Sequence, residues 1–420
     1  MKLNNITIIK VYKTRMDFSL ISKELTNKLS KIEKKKNGIY FTPPSCVNNN
    51  IKILEPYIKK VKNILEPSCG SCEYINALHK LMPNINITGI EYNETIYESI
   101  KEVNNDKVKI IKNDYLKYNT SEKFDLIITN PPYYVMKKGE VDKKYYIYFE
   151  GRPNIFILFI IKSLDLLNDE GILSFVLPKS FLNCLYYDKT RKYIADYFKI
   201  LHIIDCIDDK FIDTQQDTII VIIQKTIIQK GEASPYILDK NNYTIFVNED
   251  NKKKLVELYK NSNSLCELGF KVSVGNVVWN QCKDILTEDD KKTRLIYSSD
   301  IDNNTLTIKK YSNGEKKNYI NKKGIKRPMI VINRGYGVGE YNFNYCLIDE
   351  KKEYLIENHL ICIECNKDLA HDKLIESYKN ILMSLKDERT KEFIQIYFGN
   401  NAINTTELSE ILPIYIDIDK

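Results

Sequence analysis

Between residues 61 and 229 the chain switches repeatedly between two periodicities. Short apolar runs, too brief for helices, read as strands over 62–65, 86–90, 109–111, 124–129, 171–177, 202–206 and 218–223. The stretches between them place apolar residues at helical spacing. This alternation predicts a mostly parallel sheet with helices on both faces, an α/β Rossmann-like arrangement. The segment 154–167 is apolar almost all round, as expected of a helix buried on every side. Residues 1–36 read as a charged helical lead-in. The alternation stops near Glu232-Ala233-Ser234-Pro235, and a polar helix over 250–261 follows. Beyond Leu265 come short strands, Gly/Asn turns and a long helix from about 372 to 396, the pattern of a smaller α+β domain. The expected division is 1–36 lead-in, 37–248 first domain, 249–264 linker helix and 265–420 second domain.

At 420 residues the chain is long for one core, which agrees with two domains. The best membrane candidate, the apolar run 155–161, ends at Lys162, far short of the roughly 20 residues a span needs. No signal peptide is evident, and a cytoplasmic monomer is expected. Two C-x-x-C pairs, Cys69/Cys72 and Cys362/Cys365, the latter near His359, raise the possibility of zinc. The second pair lies in an alternating segment, however, and strand residues three apart point to opposite faces. Buried reduced thiols are the expectation there, and no metal.

Charge changes the picture of the second domain. The net charge is +7, yet from Asn303 to Arg334 nine basic residues face the lone acid Glu315. Lys309, Lys310, Lys316, Lys317, Lys322, Lys323, Arg327 and Arg334, with Tyr311, Tyr319 and Tyr336 interleaved, form a candidate nucleic-acid surface. A merely solvated face carries equal weight. Of only seven arginines, Arg294, Arg327 and Arg334 are candidates for bidentate guanine contacts.

The chemistry concentrates at the ends of the expected strands. Asn130-Pro131-Pro132-Tyr133 directly follows the run 124–129. The Asn130 side-chain oxygen and the Pro131 carbonyl can both accept from one NH2 group, proline stiffens the turn, and Tyr133 offers a flat face to a base. Upstream, Glu66-Pro67-Ser68-Cys69-Gly70-Ser71-Cys72 is a strand followed by a tight turn opening a helix, which brings backbone N–H groups to a ligand. Glu91 ends the next strand about twenty residues on, the usual place for a ribose-hydroxyl acceptor. Asp114-Tyr115 after the third strand supplies an acid and an aromatic ring suited to adenine.

These motifs, with Gly38-Ile39-Tyr40-Phe41-Thr42-Pro43-Pro44 before them, resemble the gamma-class (TaqI-like) adenine-N6 DNA methyltransferases over most of residues 37–227. The resemblance implies an S-adenosylmethionine-dependent catalytic domain followed by a DNA target recognition domain. It also implies site-specific methylation of a flipped-out adenine, in a restriction-modification or viral setting, with duplex DNA as partner and a separately encoded restriction endonuclease as a candidate second partner. It places catalysis on Asn130, Pro131, Pro132 and Tyr133. Base stacking falls to Tyr133 and Phe211, the latter within Asp209-Lys210-Phe211-Ile212-Asp213-Thr214. Cofactor binding falls to Thr42, Glu66, Pro67, Gly70, Glu91, Asp114, Tyr115 and Asn130. Core packing is the equal alternative for Phe211 and the favoured one for Trp279. Gly275-Asn276-Val277-Val278-Trp279 and Phe398-Gly399-Asn400-Asn401 resemble recognition-domain turns. The sequence departs from the family at Cys72, where a second glycine is common.

Two alternatives remain open on the residues alone. The same tetrapeptide serves methyltransferases acting on RNA bases or on a protein glutamine, since an amide NH2 resembles an amino-purine edge. A catalytically impaired DNA-binding relative is the other, prompted by Cys72.

Overall fold

The structure, a computed structural model, describes residues 17–206, 211–214, 217–227, 233–311, 314–334, 343–398 and 403–416. Asp209, Lys210, Glu232, Tyr336 and the turn at 399–401 lie outside the described residues. The chain forms two compact units, Met1–Ile237 and Leu238–Lys420.

The first unit opens with helices α1 (Leu20–Lys28), α2 (Lys31–Asn37) and α3 (Pro44–Leu54). Ser19 and Ser30 cap α1 and α2 by accepting from the Ser22 and Glu33 N–H groups. Pro44 starts α3, where proline's missing donor costs nothing. Strands and helices then alternate: β1 (Asn63–Glu66), α4 (Glu73–Leu81), β2 (Asn86–Glu91), α5 (Glu94–Ile100), β3 (Val108–Lys112), β4 (Phe124–Thr129), α6 (Ile155–Leu166), β5 (Leu167–Pro178), α7 (Asp188–Tyr197), β6 (Lys199–Asp205) and β7 (Thr218–Gln224). The sheet order is β3-β2-β1-β4-β5-β7-β6. Strands β1 to β5 pair in parallel, while β7 returns from β6 and inserts antiparallel beside β5. From Gly171 to Pro178 in β5, and from Thr218 to Ile223 in β7, every residue is buried, which is why these strands read as continuous apolar runs. Ten of the twelve residues of α6 are buried, as its all-round apolar pattern requires.

The second unit contains the hairpin β8 (Ile237–Lys240) and β9 (Tyr243–Phe246), then α8 (Glu249–Leu258). Sequence pattern placed 238–248 with the first domain and α8 in a linker. Instead Ile245, Val247, Leu255 and Leu258 pack into the second unit's core with Phe270, Ile363 and Tyr378. Strands β10 (Phe270–Val274), β11 (Leu286–Thr287), β12 (Thr293–Ile296), β13 (Ile301–Asp302), β14 (Thr305–Leu306), β15 (Tyr319–Ile320), β16 (Met329–Asn333), β17 (Tyr345–Ile348), β18 (Tyr354–Ile356) and β19 (Leu360–Cys365) follow. They form sheets of order β10-β19-β16-β17 and β11-β15-β12-β18, and the hairpin β13-β14. Cys362 and Cys365 on β19 fall into different apolar clusters, so their thiols do point to opposite faces. The long terminal helix expected over 372–396 is two helices, α9 (His371–Lys386) and α10 (Glu388–Tyr397). Asp387 (φ −60°, ψ 140°) breaks the spiral, and its carboxylate caps α10 by accepting from the Arg389 N–H. Among the described residues no helix is long and apolar enough to cross a membrane.

Candidate active site

Four strands of the first sheet end beside one another: β1 in Glu66, β2 in Glu91, β3 just before Asn113-Asp114, and β4 just before Asn130. β1 and β4 are neighbours whose onward connections run to opposite sides of the sheet, so the crevice beyond them is the topological switch point. A cavity of about 230 Å³ lies there, lined among others by Gly38, Tyr40, Pro67, Gly70, Glu91, Asp114, Asn130 and Pro132.

The turn after β1 is built from tight backbone contacts. The Cys69 N–H donates to the Ile90 carbonyl (2.9 Å), and the Cys72 N–H donates to the Cys69 carbonyl (2.7 Å). Gly70 (φ 50°) and Cys72 (φ 62°, ψ 28°) both adopt the left-handed conformation. Cys72 therefore stands where glycine is conformationally favoured, at a backbone cost of about 1–2 kcal/mol, while its side chain is fully buried. Glu73, in the first turn of α4, accepts from Ser19 (2.5 Å) and Ser22 (2.6 Å), and Ser22 Oγ is 2.8 Å from Ser71 Oγ. These contacts tie the lead-in helix to the turn.

Glu91 accepts from the Gly70 N–H (3.0 Å) and the Asn93 N–H (2.6 Å). Burial outweighs those hydrogen bonds and raises its pKa to about 7. Glu66 is more extreme: burial, then the nearby Cys72, Glu73 and Glu91, push its pKa well above the carboxylate range. Its Oε2 is buried without a hydrogen-bond partner. Asp114 accepts from the Leu116 N–H (3.0 Å). Tyr115 is buried, its hydroxyl 2.8 Å from Ser163 Oγ and its ring 4.9 Å from that of Phe159. Lys162, the only basic residue of α6, donates to the carbonyls of Tyr115 (2.5 Å), Leu116 (3.1 Å) and Tyr118 (2.6 Å).

Asn130 is held at both ends. Its Nδ2 donates to the Tyr40 carbonyl (2.9 Å), which fixes the amide orientation and leaves Oδ1 as the acceptor. The Tyr133 hydroxyl is 2.6 Å from that Oδ1 and 2.8 Å from the Val176 carbonyl, so one proton serves two acceptors. The Tyr133 ring meets Phe156 edge-on (6.0 Å) and lies 6.4 Å from Tyr40 at an interplanar angle of 28°. Gly38 closes this arrangement. As the left-handed cap of α2 (φ 64°) it presses on the tetrapeptide, where an added Cβ would sit 2.4 Å from the Tyr133 nitrogen.

Of the residues expected at the cofactor, Pro67, Gly70, Glu91, Asp114, Tyr115 and Asn130 line the cavity, whereas Thr42 and Glu66 are buried outside its lining. Pro132 lines it too; Pro131 and Tyr133 do not. Phe211 is only 7% exposed and joins the apolar core with Cys46, Val47 and Cys206, so it presents no open stacking face. Core packing, the alternative weighed for this ring, describes its position. Gly38 and Tyr40 lay within the motif 38–44 without a role of their own, and Lys162 stood out in the sequence only as the end of an apolar run. A glycine ending the Lys31–Asn37 helix is a readable cap signal, but contacts to Asn130 and to the 115–118 carbonyls join distant segments.

In the second unit several of the expected DNA-contacting groups have internal partners. Lys309 pairs with Asp302 (3.0 Å). Lys316 lies over the rings of Tyr297 and Tyr311 (4.1 and 4.3 Å), and burial lowers its pKa. Arg294 pairs with Glu350 (3.1 Å) and donates to the Thr307 carbonyl (3.2 Å). Arg327 donates to the carbonyls of Cys365 and Lys367. Trp279 is half-buried against the cluster around Val277 and Leu286.

A seven-stranded sheet with one inserted antiparallel strand, acids at successive strand ends and a pocket at the switch point define a Rossmann-like domain. Residues 13–212 match the family model of the Eco57I restriction-modification methylase. That match spans just under half of this chain, and similarity to modification methylases extends over most of its length. It is 29% identical to the Type II methyltransferase M.CvrRI of Paramecium bursaria Chlorella virus XZ-6E, over 94% of this chain and 98% of that protein. It is 26% identical to the modification methylase CviBIII of Paramecium bursaria Chlorella virus NC1A, over the same shares. Among solved structures, a putative class I S-adenosylmethionine-dependent methyltransferase from Listeria monocytogenes aligns with a TM-score of 0.42 and 22% identity, covering 51% of this chain and 71% of that one.

Proposed function

We propose that the protein methylates the N6 amine of an adenine flipped out of duplex DNA, with S-adenosylmethionine as donor. The single observation that carries this reading is the fixed Asn130 amide: with Nδ2 committed to Tyr40, Oδ1 can only accept, and it does so at the mouth of β4 beside the cavity. An exocyclic adenine amine is the donor such an acceptor suits. Its lone pair is delocalised into the ring, and N–H donation to Asn130 Oδ1 and the Pro131 carbonyl favours a pyramidal, nucleophilic nitrogen. Tyr133 makes the exchange inexpensive, because its proton can stay with the Val176 carbonyl when the amine takes its place on Oδ1. Its ring is the stacking face proposed for the base, which offsets part of the few kcal/mol that flipping costs.

The donor set around the cavity fits S-adenosylmethionine. Glu91 suits ribose hydroxyls and Asp114 with Tyr115 suits the adenine, while Glu66, outside the lining, keeps a buried oxygen without a hydrogen-bond partner next to the Pro67–Gly70 turn. When bound, the cofactor supplies a methyl group already activated on a sulfonium. Thr42, buried two residues before α3, is assigned a supporting role at the same site. The domain assignment proposed is a catalytic first unit and a target-recognising second unit, consistent with relatives named as modification methylases that run the length of this chain.

The test is transfer of labelled methyl groups to unmethylated DNA, RNA and protein, followed by modification-aware sequencing of the DNA. Label in DNA adenine is expected, and label only in RNA or protein overturns the reading. Asn130→Ala is expected to reduce transfer by at least about 100-fold, in line with removal of one preorganised transition-state hydrogen bond, while the variant still melts cooperatively.

A further inference from the structure

The basic run from Asn303 to Arg334 supplies only part of the free positive charge that the second unit gathers in one place. Three separate segments, 290–293, 320–326 and 351–353, come together as a broad cleft of about 700 Å³. Its walls carry Lys291, Lys292, Lys322, Lys323, Lys326, Lys351 and Lys352, against the acids Asp290 and Glu353. All seven lysines are exposed, and none forms an ion pair within the described chain. Glu353 is turned inward, accepting from the Gly324 N–H (3.0 Å). By contrast Lys309 and Lys316, earlier in the same basic run as Lys322, Lys323 and Lys326, are engaged by Asp302 and by two tyrosine rings.

The cleft is also a built surface rather than a loose fringe. Gly324 packs so closely that an added Cβ would lie 2.6 Å from Thr293 Cγ2 and 2.8 Å from the Tyr354 carbonyl. Ile325 bridges Tyr354 in antiparallel fashion, and β12 pairs with β18 in parallel, so two of the three lysine-bearing segments are fixed by backbone hydrogen bonds to one strand. Unpaired ammonium groups spread over such a width attract a polyanion with regularly spaced charges.

We infer that this cleft is the surface through which the second unit grips the phosphate backbone of its DNA substrate, independently of base sequence. Lysine ammonium groups are point charges without the planar fork that reads guanine, so the cleft supplies affinity and position while sequence choice lies elsewhere. The inference rests on the duplex-DNA reading given above.

The experiment compares the full-length protein with a quadruple variant, Lys322→Gln, Lys323→Gln, Lys351→Gln and Lys352→Gln. A control carries Lys373→Gln, Lys379→Gln and Lys386→Gln on the exposed side of α9. Binding of a fluorescein-labelled DNA duplex is followed by anisotropy across a salt series, with thermal melting and S-adenosylmethionine binding checked on every protein. Each lost phosphate contact lowers the slope of log K against log salt by about one, so the quadruple variant should flatten it by about four. The control slope should match that of the unaltered protein. An unaltered slope in the quadruple variant, with DNA methylation intact in the parent protein, overturns the cleft assignment alone. A parent protein that neither binds nor methylates duplex DNA overturns the DNA reading and this inference with it.

Discussion

Glu91 holds two backbone N–H donors yet titrates near neutrality, because burial of the charged form outweighs them. A ribose-binding role requires the carboxylate, so cofactor affinity should rise as pH rises through about 7. If only the ionised form binds, about a tenth of the sites are competent at pH 6 and nearly all at pH 8, which predicts a change of roughly tenfold. Calorimetry at the two pH values checks this, with Glu91→Gln expected to abolish most of the dependence; equal affinities in the unaltered protein would remove the role. The same raised pKa has the opposite consequence for folding. Between about pH 4.5 and 7 the folded chain keeps a proton that the unfolded chain releases, so this site's contribution to stability falls as pH rises, by on the order of 3 kcal/mol. Cys72 allows a second residue-level prediction. In its left-handed conformation a Cβ is unfavourable, so Cys72→Gly should be more stable than Cys72→Ala by about 1 kcal/mol, reversing the order usual in helices. Urea midpoints of the two variants decide it. Sequence reasoning reached both residues because each sits at a strand end or turn, where local pattern carries conformational meaning.

At the scale of elements, what was readable was what depends on neighbours in sequence. The seven strands of the first sheet were located because each is a short apolar run, and β4 was placed residue for residue. The start of β5 was not, since Asn168, Asp169 and Glu170 look like a loop and Glu170 takes a positive φ. The break between α9 and α10 was equally hidden, although Asp387 followed by an acid in the next turn is an N-cap signature in retrospect. Helix α6 shows what pattern alone misses. It was recognised as buried, but the reason for its one lysine lies on the 114–118 turn, whose carbonyls Lys162 gathers. On the proposed cofactor reading, Lys162 positions the turn at the adenine end of the cavity. Lys162→Met should destabilise the fold by on the order of 2 kcal/mol through unsatisfied carbonyls, and should raise KM for S-adenosylmethionine with little change in kcat. A loss of stability with KM unmoved would make the lysine purely structural.

At the scale of the whole molecule, topology was legible and long-range juxtaposition was not. Alternating strands and helices imply a parallel sheet, and acids at successive strand ends imply a crevice, but neither says that Tyr40 holds Asn130, that Gly38 presses on Tyr133 or that three distant lysine pairs share one cleft. The boundary between units was misplaced for the same reason: α8 is polar enough to read as a linker, and only its Leu255 and Leu258 reveal a core partner. That core bears on independence. The apolar cluster running from Leu25 to Ile222 draws every member from the first unit, and the cluster from Ile245 to Ile414 draws every member from the second. Cores that share no side chains can fold separately. A fragment ending at Tyr236, before the β8-β9 hairpin, should therefore melt cooperatively and bind S-adenosylmethionine, because each residue assigned to the cofactor precedes Glu140. It should lose most of its affinity for duplex DNA, since the lysine cleft is gone. Calorimetry with the cofactor and anisotropy with the duplex separate these outcomes. A fragment that melts cooperatively but fails to bind cofactor would mean that the second unit completes the cofactor site, and the assignment of that site to the first sheet alone would fall.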